Sequence, residues 1–312
     1  MDDIDFDEWA AKRQLPPGLT FGQPHSFWPY LRRFALRPLK RHGVNAAMWL
    51  LGEYQRGIDN ALDVQLGEVM IPVPGLDPRL DGVSILHLSD LHLGALAGTQ
   101  AAVEAAVSGT KVDLCVLTGD YAPRYDQRTD AVIDGMRQIL AGVVARYGVY
   151  ATLGNYDSSG LTKALISSGL CRVLINDTVH LPINDAPISI TGTDDPYLQE
   201  PAGILAALSH PGEGFRIALV HTPDMADEAA AAGHDLYLCG HTHGGQICLP
   251  GGQPVLTNCK RRSDLASGLW REGGMWGYTS RGAGVSSIAR RHNCPPEVTI
   301  LRLVAGHAIA TS

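Results

Sequence analysis

Short apolar runs alternate with segments of helical period along most of this chain, from about residue 62 onward. The apolar runs are rich in β-branched residues and predict strands at 83–88, 112–117, 149–153, 188–192, 217–220 and 236–239. Apolar positions at helical spacing predict helices between several of them, at 100–107, 129–146, 161–168 and 223–232. This alternation predicts an α/β fold, with a layered sheet covered by helices.

The first 61 residues lack this alternation and predict a helical or irregular extension ahead of a main domain at residues 62–312. Prolines break its early part, and a helix is expected only over 44–60. The segment 26–42 mixes five basic residues with aromatic and leucine side chains, which suits a peripheral contact with an anionic membrane surface. In the other interpretation, slightly favoured by Pro29 and Pro38, the aromatic residues pack on the main domain and the basic residues face water.

Polar clusters follow five of the predicted strands. They are Ser-Asp-Leu-His at 89–92, Thr-Gly-Asp at 118–120, Gly-Asn-Tyr-Asp at 154–157, Val-His-Thr-Pro-Asp at 220–224 and Cys-Gly-His-Thr-His at 239–243. In an open α/β sheet the carboxyl ends of the strands line one edge, where ligands bind. We therefore expect clusters that are far apart in sequence to meet in one site.

The residue types in these clusters are those that hold metal ions. The candidate ligands are Asp90, His92, Asp120, Asn155, His221, His241 and His243. Seven ligands are too many for one small ion, so the count predicts two ions and a bridging carboxylate, with Asp120 in the middle of the set. A mixed nitrogen and oxygen set without cysteine suits Mn, Fe, Zn or Co as divalent ions, and disfavours a structural zinc or iron–sulfur site.

In their order, the five clusters resemble the signature of the calcineurin-like metallophosphoesterases, over roughly residues 80–250. The segments 192–196 and 278–303 resemble a bacterial phosphodiesterase subgroup of that family. The resemblance implies a layered β-sandwich flanked by helices, and a hydroxide bridging two metals that attacks phosphorus. It assigns the ligands as follows: the first metal to Asp90, His92 and His243, the second to Asn155, His221 and His241, and Asp120 as the bridge.

Two further positions bear on catalysis. Tyr156 stands where the family usually has a histidine that assists the leaving group. A phenol with a pKa of about 10 can donate a hydrogen bond but cannot act as an imidazolium. Either the leaving group needs less acid assistance, or Tyr156 donates, or another residue takes the role. Arg124 could meet a substrate phosphate, since a guanidinium suits phosphoryl oxygens, but an exposed loop arginine is an equal alternative.

The net charge, the cysteines and the apolar segments limit which partners and which cellular location the sequence predicts. A net charge of −7 over 312 residues disfavours a duplex nucleic-acid partner. The six cysteines include no Cys-x-x-Cys pair, the N-terminus lacks the apolar core of a secretory signal, and no apolar stretch is long enough to span a bilayer. We expect a cytoplasmic protein, with membrane association through 26–42 as an open alternative, and the oligomeric state is not predicted.

The function expected from the sequence is metal-dependent hydrolysis of phosphodiester or pyrophosphate bonds in a small, nucleotide or lipid-linked substrate. Two alternatives stay open. One is a non-catalytic metal-binding module on the same fold, and the other is a metallohydrolase of a non-phosphate ester. Turnover of phosphate and non-phosphate esters with added divalent metal separates the three.

Overall fold

The structure, a computed structural model, describes residues 9–10, 48–50, 52–124, 128–199, 201–257, 259–286 and 288–306. The helices whose bounds lie within these ranges are α1 Tyr54–Leu62, α2 Thr99–Val107, α3 Thr129–Ala141, α4 Ser159–Ser168, α5 Pro201–Leu208 and α6 Ala226–Ala232, and residues 48–50 are also helical. Short 3-10 helices lie at Pro78–Leu80, Pro223–Met225, His243–Gly245 and Ser263–Leu265. The segment 26–42 lies outside the described residues, so its proposed membrane contact and the division at residue 61 stay predictions.

The strands form two six-stranded sheets and one short pair. In chain order they are β1 Gln65–Pro74, β2 Ser84–Leu88, β3 Thr110–Val112, β4 Leu114–Thr118, β5 Val143–Ala145, β6 Val149–Thr152, β7 Arg172–Val173, β8 Asp177–Ile183, β9 Ala186–Gly192, β10 Phe215–Leu219, β11 Leu236–Cys239, β12 Gly268–Glu272, β13 Met275–Thr279 and β14 Glu297–Gly306. The first sheet has the order β1-β14-β2-β4-β6-β7 and the second β12-β13-β11-β10-β9-β8, while β3 pairs with β5.

The two large sheets pack face to face around one apolar core. Ile85 of β2 and Leu114 of β4 are fully buried in it with Ile190 of β9 and Ile217 of β10. Successive side chains of a strand point to opposite faces, so the neighbouring Leu86 lies in a different cluster on the outer face of the first sheet. Strands buried on both faces carry nearly continuous apolar sequence, which explains the runs seen in the chain.

Helices cover the outer face of each sheet. Val103 of α2, Met136 of α3 and Leu165 of α4 pack on the first sheet. Ile204 of α5 and Ala229 of α6 pack on the second. The result is a four-layer sandwich, which confirms the predicted α/β class and the β-sandwich flanked by helices.

Three predicted elements need correction. The helix predicted over 129–146 ends at Ala141, because Gly142 stops it and the next residues form β5 against β3. The strand predicted over 112–117 is divided at Asp113, whose carboxylate accepts hydrogen bonds from the backbone and hydroxyl of Ser84. The helix predicted over 44–60 is interrupted at Gly52, which has a φ of 72°, and α1 begins at Tyr54.

The topology brings five strand ends to one place. β2, β4 and β6 are parallel neighbours in the first sheet, and β10 and β11 are parallel neighbours in the second. The carboxyl end of each is followed by one of the polar clusters. The site therefore spans both sheets of the sandwich.

The packing between the sheets gives a stability prediction. Ile190→Ala, at a fully buried position in the inner core, should lower the free energy of unfolding by about 2–5 kcal/mol. Urea denaturation followed by circular dichroism measures the change. The control is Leu256→Ala, whose side chain is 71% exposed, and it should shift the free energy by no more than about 0.5 kcal/mol. Equal effects of the two substitutions would contradict the assignment of the inner core.

Candidate metal centre

The loops that carry the site have unusual backbone conformations. Five candidate ligands have positive φ: Asp90 (52°), His92 (41°), Asp120 (59°), His241 (69°) and His243 (52°). Aspartate and histidine tolerate this left-handed region better than most residues, but the conformation still costs about 1–3 kcal/mol at each position. Strained positions of this kind cluster at functional sites, because the surrounding fold holds the side chains where the chemistry needs them.

The first cluster consists of Asp90, His92 and His243, all of them buried. The Nε2 atoms of His92 and His243 are 3.1 Å apart, and their rings are stacked with centroids 5.0 Å apart. The Asp90 Oδ1 atom lies 3.4 Å from His243 Nε2 and 4.0 Å from His92 Nε2. Three ligand atoms at these separations can hold one cation.

The second cluster consists of Asp120, His221 and His241, which are also buried. His221 Nε2 is 3.3 Å from Asp120 Oδ2 and 3.2 Å from His241 Nδ1. In each cluster the candidate ligand atoms all lie within 4.8 Å of one another. This arrangement suits a second cation.

Asp120 joins the two clusters. Its Oδ2 atom is 3.5 Å from His92 Nε2 in the first cluster and 3.3 Å from His221 Nε2 in the second. A second link runs through the backbone, since the amide of His241 donates to Asp90 Oδ2 at 3.0 Å. A carboxylate in this position is suited to bridge two cations.

Asn155 lies next to this carboxylate in the chain fold. The backbone amide of the following residue, Tyr156, donates to Asp120 Oδ1 at 2.8 Å. The Asn155 Oδ1 atom is buried and has no hydrogen-bond partner among the described residues. A buried amide oxygen normally has a partner, so this atom fits the ligand role predicted for it. The ligand role of each of the seven residues stays a prediction.

Backbone carbonyls orient two of the histidines. His92 Nδ1 is 3.0 Å from the carbonyl oxygen of Ala122, and His221 Nδ1 is 2.7 Å from that of Thr118. A carbonyl can only accept, so Nδ1–H donates in both cases, which leaves Nε2 as the nitrogen that can bind a metal ion. Histidine ligands of metals usually show this outer hydrogen bond.

Burial and mutual charge shift the pKa values of the cluster. Burial raises the pKa of Asp90. Burial opposes ionisation of Asp120, yet His221 and His92 hold its pKa below the usual range. Burial likewise lowers the pKa of His221, but Asp120 and Asp90 outweigh it and raise the pKa to about 10. Buried carboxylates need cations or donors close by, and the donor set here fits divalent metals.

Asp157 was given no role by the sequence analysis, although it ends the Gly-Asn-Tyr-Asp cluster. Its Oδ2 atom accepts from the amides of Asp120 and Gly154, each at 2.8 Å, and its Oδ1 accepts from the amide of Tyr121 at 2.8 Å. Asp157 thus fixes the backbone that carries the bridging carboxylate. Gly154 is required there, because a Cβ would stand 2.3 Å from Asp120 Oδ1.

Arg291 is a second residue that sequence reasoning missed. Its guanidinium is fully buried and lies behind His243, with Nη1 donating to the His243 carbonyl at 3.3 Å. Nη2 donates to the carbonyls of Arg281 and Gly284, each at 2.6 Å. Burial, His92 and Arg291 together lower the pKa of His243, which favours the neutral form that binds metals.

The two proposed catalytic residues are placed differently. Tyr156 is partly buried, and its ring meets that of His92 edge-on with centroids 5.3 Å apart. Arg124 is exposed, four residues after Asp120. The structure therefore brings Tyr156 to the first cluster and leaves Arg124 at the surface.

Comparison with known proteins identifies the family. The Metallophos family, described as calcineurin-like phosphoesterase, matches residues 83–245, and the protein belongs to this family. The chain is 33% identical over 234 residues to the uncharacterized metallophosphoesterase YkuE of Bacillus subtilis (strain 168), covering 72% of this chain and 79% of YkuE. It is 29% identical over 248 residues to the uncharacterized metallophosphoesterase YkoQ of the same organism, covering 77% and 90% of the two chains. Against phosphodiesterase YaeI of Escherichia coli (strain K12) the identity is 31% over 232 residues, covering 70% and 82%.

These matches confirm the resemblance stated from the five polar clusters. A metallophosphoesterase with two candidate metal-binding clusters follows from the family and the geometry together. Across the part of the chain that the structure describes, no helix combines the length and apolar character needed to cross a bilayer.

The bridging position of Asp120 can be tested by metal content. Asp120→Asn removes a charge shared by both clusters, so we expect it to lower bound divalent metal from two equivalents to one or fewer and to remove most activity. Elemental analysis of dialysed protein measures the metal. Asp134→Asn is the matched control, since the Asp134 side chain is 70% exposed on α3. An Asp120→Asn protein with two bound metals and normal turnover would show that the carboxylate does not bridge.

Proposed function

We propose that the protein hydrolyses phosphodiester or pyrophosphate bonds with the help of two divalent cations. The observation that carries this proposal is the pair of buried clusters sharing Asp120. Asp90, His92 and His243 would hold one cation, Asn155, His221 and His241 the other. When bound, the cations neutralise phosphoryl charge and lower the pKa of a water molecule.

The residues of the chain prepare the site for that chemistry. The Ala122 and Thr118 carbonyls keep His92 and His221 oriented, so little rearrangement is needed on binding. Tyr156 stands beside His92, and in this proposal its phenol donates a hydrogen bond to the substrate without transferring its proton. That limit favours substrates with good leaving groups, such as an anhydride or an acidic alcohol.

Two observations support a substrate with an apolar portion. The loop after the last polar cluster exposes three large apolar side chains, Leu249 (53%), Val255 (62%) and Leu256 (71%). This loop adjoins the ligand-bearing segment, since a Cβ at Gly245 would stand 2.4 Å from Pro254. Several exposed apolar residues in one short loop are typical of a binding surface.

The name of the relative YaeI, a phosphodiesterase, supports the diester as the bond cleaved.

An activity panel on metal-defined protein tests the proposal. Protein stripped of metal and reloaded with Mn²⁺, Zn²⁺, Co²⁺ or Fe²⁺ should hydrolyse chromogenic phosphodiesters and pyrophosphates faster than phosphomonoesters and carboxylic esters. Coupled assays of phosphate or nitrophenol release measure kcat/KM. Turnover confined to non-phosphate esters would indicate a metallohydrolase of non-phosphate esters. No turnover with any metal, in folded protein that binds two equivalents, would indicate a non-catalytic binding module.

The peripheral membrane contact is part of the same proposal and rests on the composition of residues 26–42. Replacing Arg32, Arg33 and Arg37 together by serine should weaken binding to anionic phosphatidylglycerol vesicles, because each basic residue near such a surface contributes about 1 kcal/mol. Sedimentation with vesicles measures the bound fraction. Arg137→Ser on α3 is the control for a lost surface charge. Unchanged vesicle binding by the triple variant would refute the contact.

A further inference from the structure

Tyr197 connects the metal centre to a lysine that the proposed reaction has not yet used. The Tyr197 ring meets the His241 ring at a centroid separation of 4.9 Å and an angle of 62°. The Lys260 ammonium stands over the same Tyr197 ring, 3.9 Å from its centroid. A cation over an aromatic face is stabilised by about 0.5–1 kcal/mol at an exposed site. Lys260 and His241, a member of the second cluster, therefore contact the same Tyr197 ring.

Asp224 fixes both partners of this contact. Its carboxylate is buried and accepts a hydrogen bond from the Tyr197 hydroxyl. It also accepts from the backbone amides of Lys260, Arg261 and Arg262, each at 3.0 Å. These hydrogen bonds hold the pKa of Asp224 at about 2, against the effect of burial. These hydrogen bonds fix the backbone at Lys260. The position of the Lys260 ammonium is therefore constrained by the backbone as well as by its contact with the Tyr197 ring.

The neighbouring arginines point to acidic groups elsewhere. Arg261 Nη1 lies 2.6 Å from Glu228 Oε1, and Arg262 Nη2 lies 2.8 Å from Glu272 Oε2 and 3.0 Å from Asp264 Oδ2. Arg261 and Arg262 therefore join ion pairs with acidic side chains, and the Lys260 ammonium contacts the Tyr197 ring. The arginines therefore provide a control in the same loop.

We infer that Lys260 binds a second anionic group of the substrate and so directs the enzyme toward substrates with two adjacent negative charges. This inference rests on the proposed function and deepens it. A simple phosphodiester has a single negative charge, on the phosphate that the two cations would hold. A diester of pyrophosphate has a second negative charge on the neighbouring phosphate, and an ammonium on the Tyr197 ring, which also contacts His241, could bind it. Lysine suits this role, because its ammonium is a compact charge with three donors for phosphate oxygens.

The test compares Lys260→Gln with the control Arg261→Gln in protein loaded with Mn²⁺. The substrates are bis(p-nitrophenyl) phosphate, with one negative charge, and a nucleoside diphosphate sugar, with two. We expect Lys260→Gln to lower kcat/KM for the pyrophosphate about tenfold, mainly through KM, as for one lost hydrogen bond between charged groups. The diester should change less than about twofold, and Arg261→Gln should change neither. Equal losses on both substrates, or no loss on either, would overturn the inference.

A binding measurement separates this inference from the proposed function. Methylenebisphosphonate is a pyrophosphate analogue that cannot be hydrolysed, and calorimetric titration into the Mn²⁺-loaded protein measures its Kd. Lys260→Gln should weaken binding about tenfold, Lys260→Arg should restore most of it, and Arg261→Gln should leave it unchanged. If the wild-type protein cleaves neither substrate, the proposed hydrolysis fails while the binding series still decides on Lys260. Equal Kd values for wild type and Lys260→Gln would refute the role of this lysine.

Discussion

The Asp120 carboxylate is buried between His92 and His221, at 3.5 and 3.3 Å from their Nε2 atoms, and a charge so placed must be balanced where it stands. The surrounding structure also fixes its position. The Asp157 carboxylate accepts from the backbone amide of Asp120, and the amide of Tyr156 donates to Asp120 Oδ1. Because the carboxylate has lost water on all sides, removal of one partner leaves a costly charge in the interior. The stability of the fold therefore depends on the residues that surround Asp120, and the geometry of the site depends on the fold.

The sandwich architecture has a mechanical consequence for the metal centre. One cluster combines Asp90 and His92 from the first sheet with His243, which follows the second sheet, and the other combines Asp120 with His221 and His241 in the same way. Neither cluster forms unless the two sheets pack against each other in the observed arrangement. Bound cations would thus crosslink the two layers, and stability should rise with metal occupancy, since a ligand that binds only the folded state stabilises it.

Local patterns in the sequence predicted much of the site, because ligands that follow strands can be recognised without knowing the tertiary contacts. The helix predicted over 129–146 ran too far, since the pairing of β5 with β3 is a tertiary contact that helical period cannot reveal. Arg291 was missed for a similar reason: it contacts His243, which lies 48 positions earlier in the chain, only in the folded structure. Lys260 and Tyr197 meet through Asp224, and no spacing rule links them. Asp157 acts on backbone amides, a role that its residue type alone does not reveal.

The left-handed backbone at five candidate ligands also affects how related sequences should be compared. Aspartate and histidine tolerate positive φ less readily than glycine, so each of these positions costs some stability, which the predicted role of these side chains as metal ligands would account for. A lineage that lost catalysis would gain stability by placing glycine or asparagine there, since both adopt positive φ readily. If these residues are metal ligands, glycine at the positions of Asp90, His92 or His243 in a relative is expected to accompany loss of metal binding, even where the sandwich itself is intact.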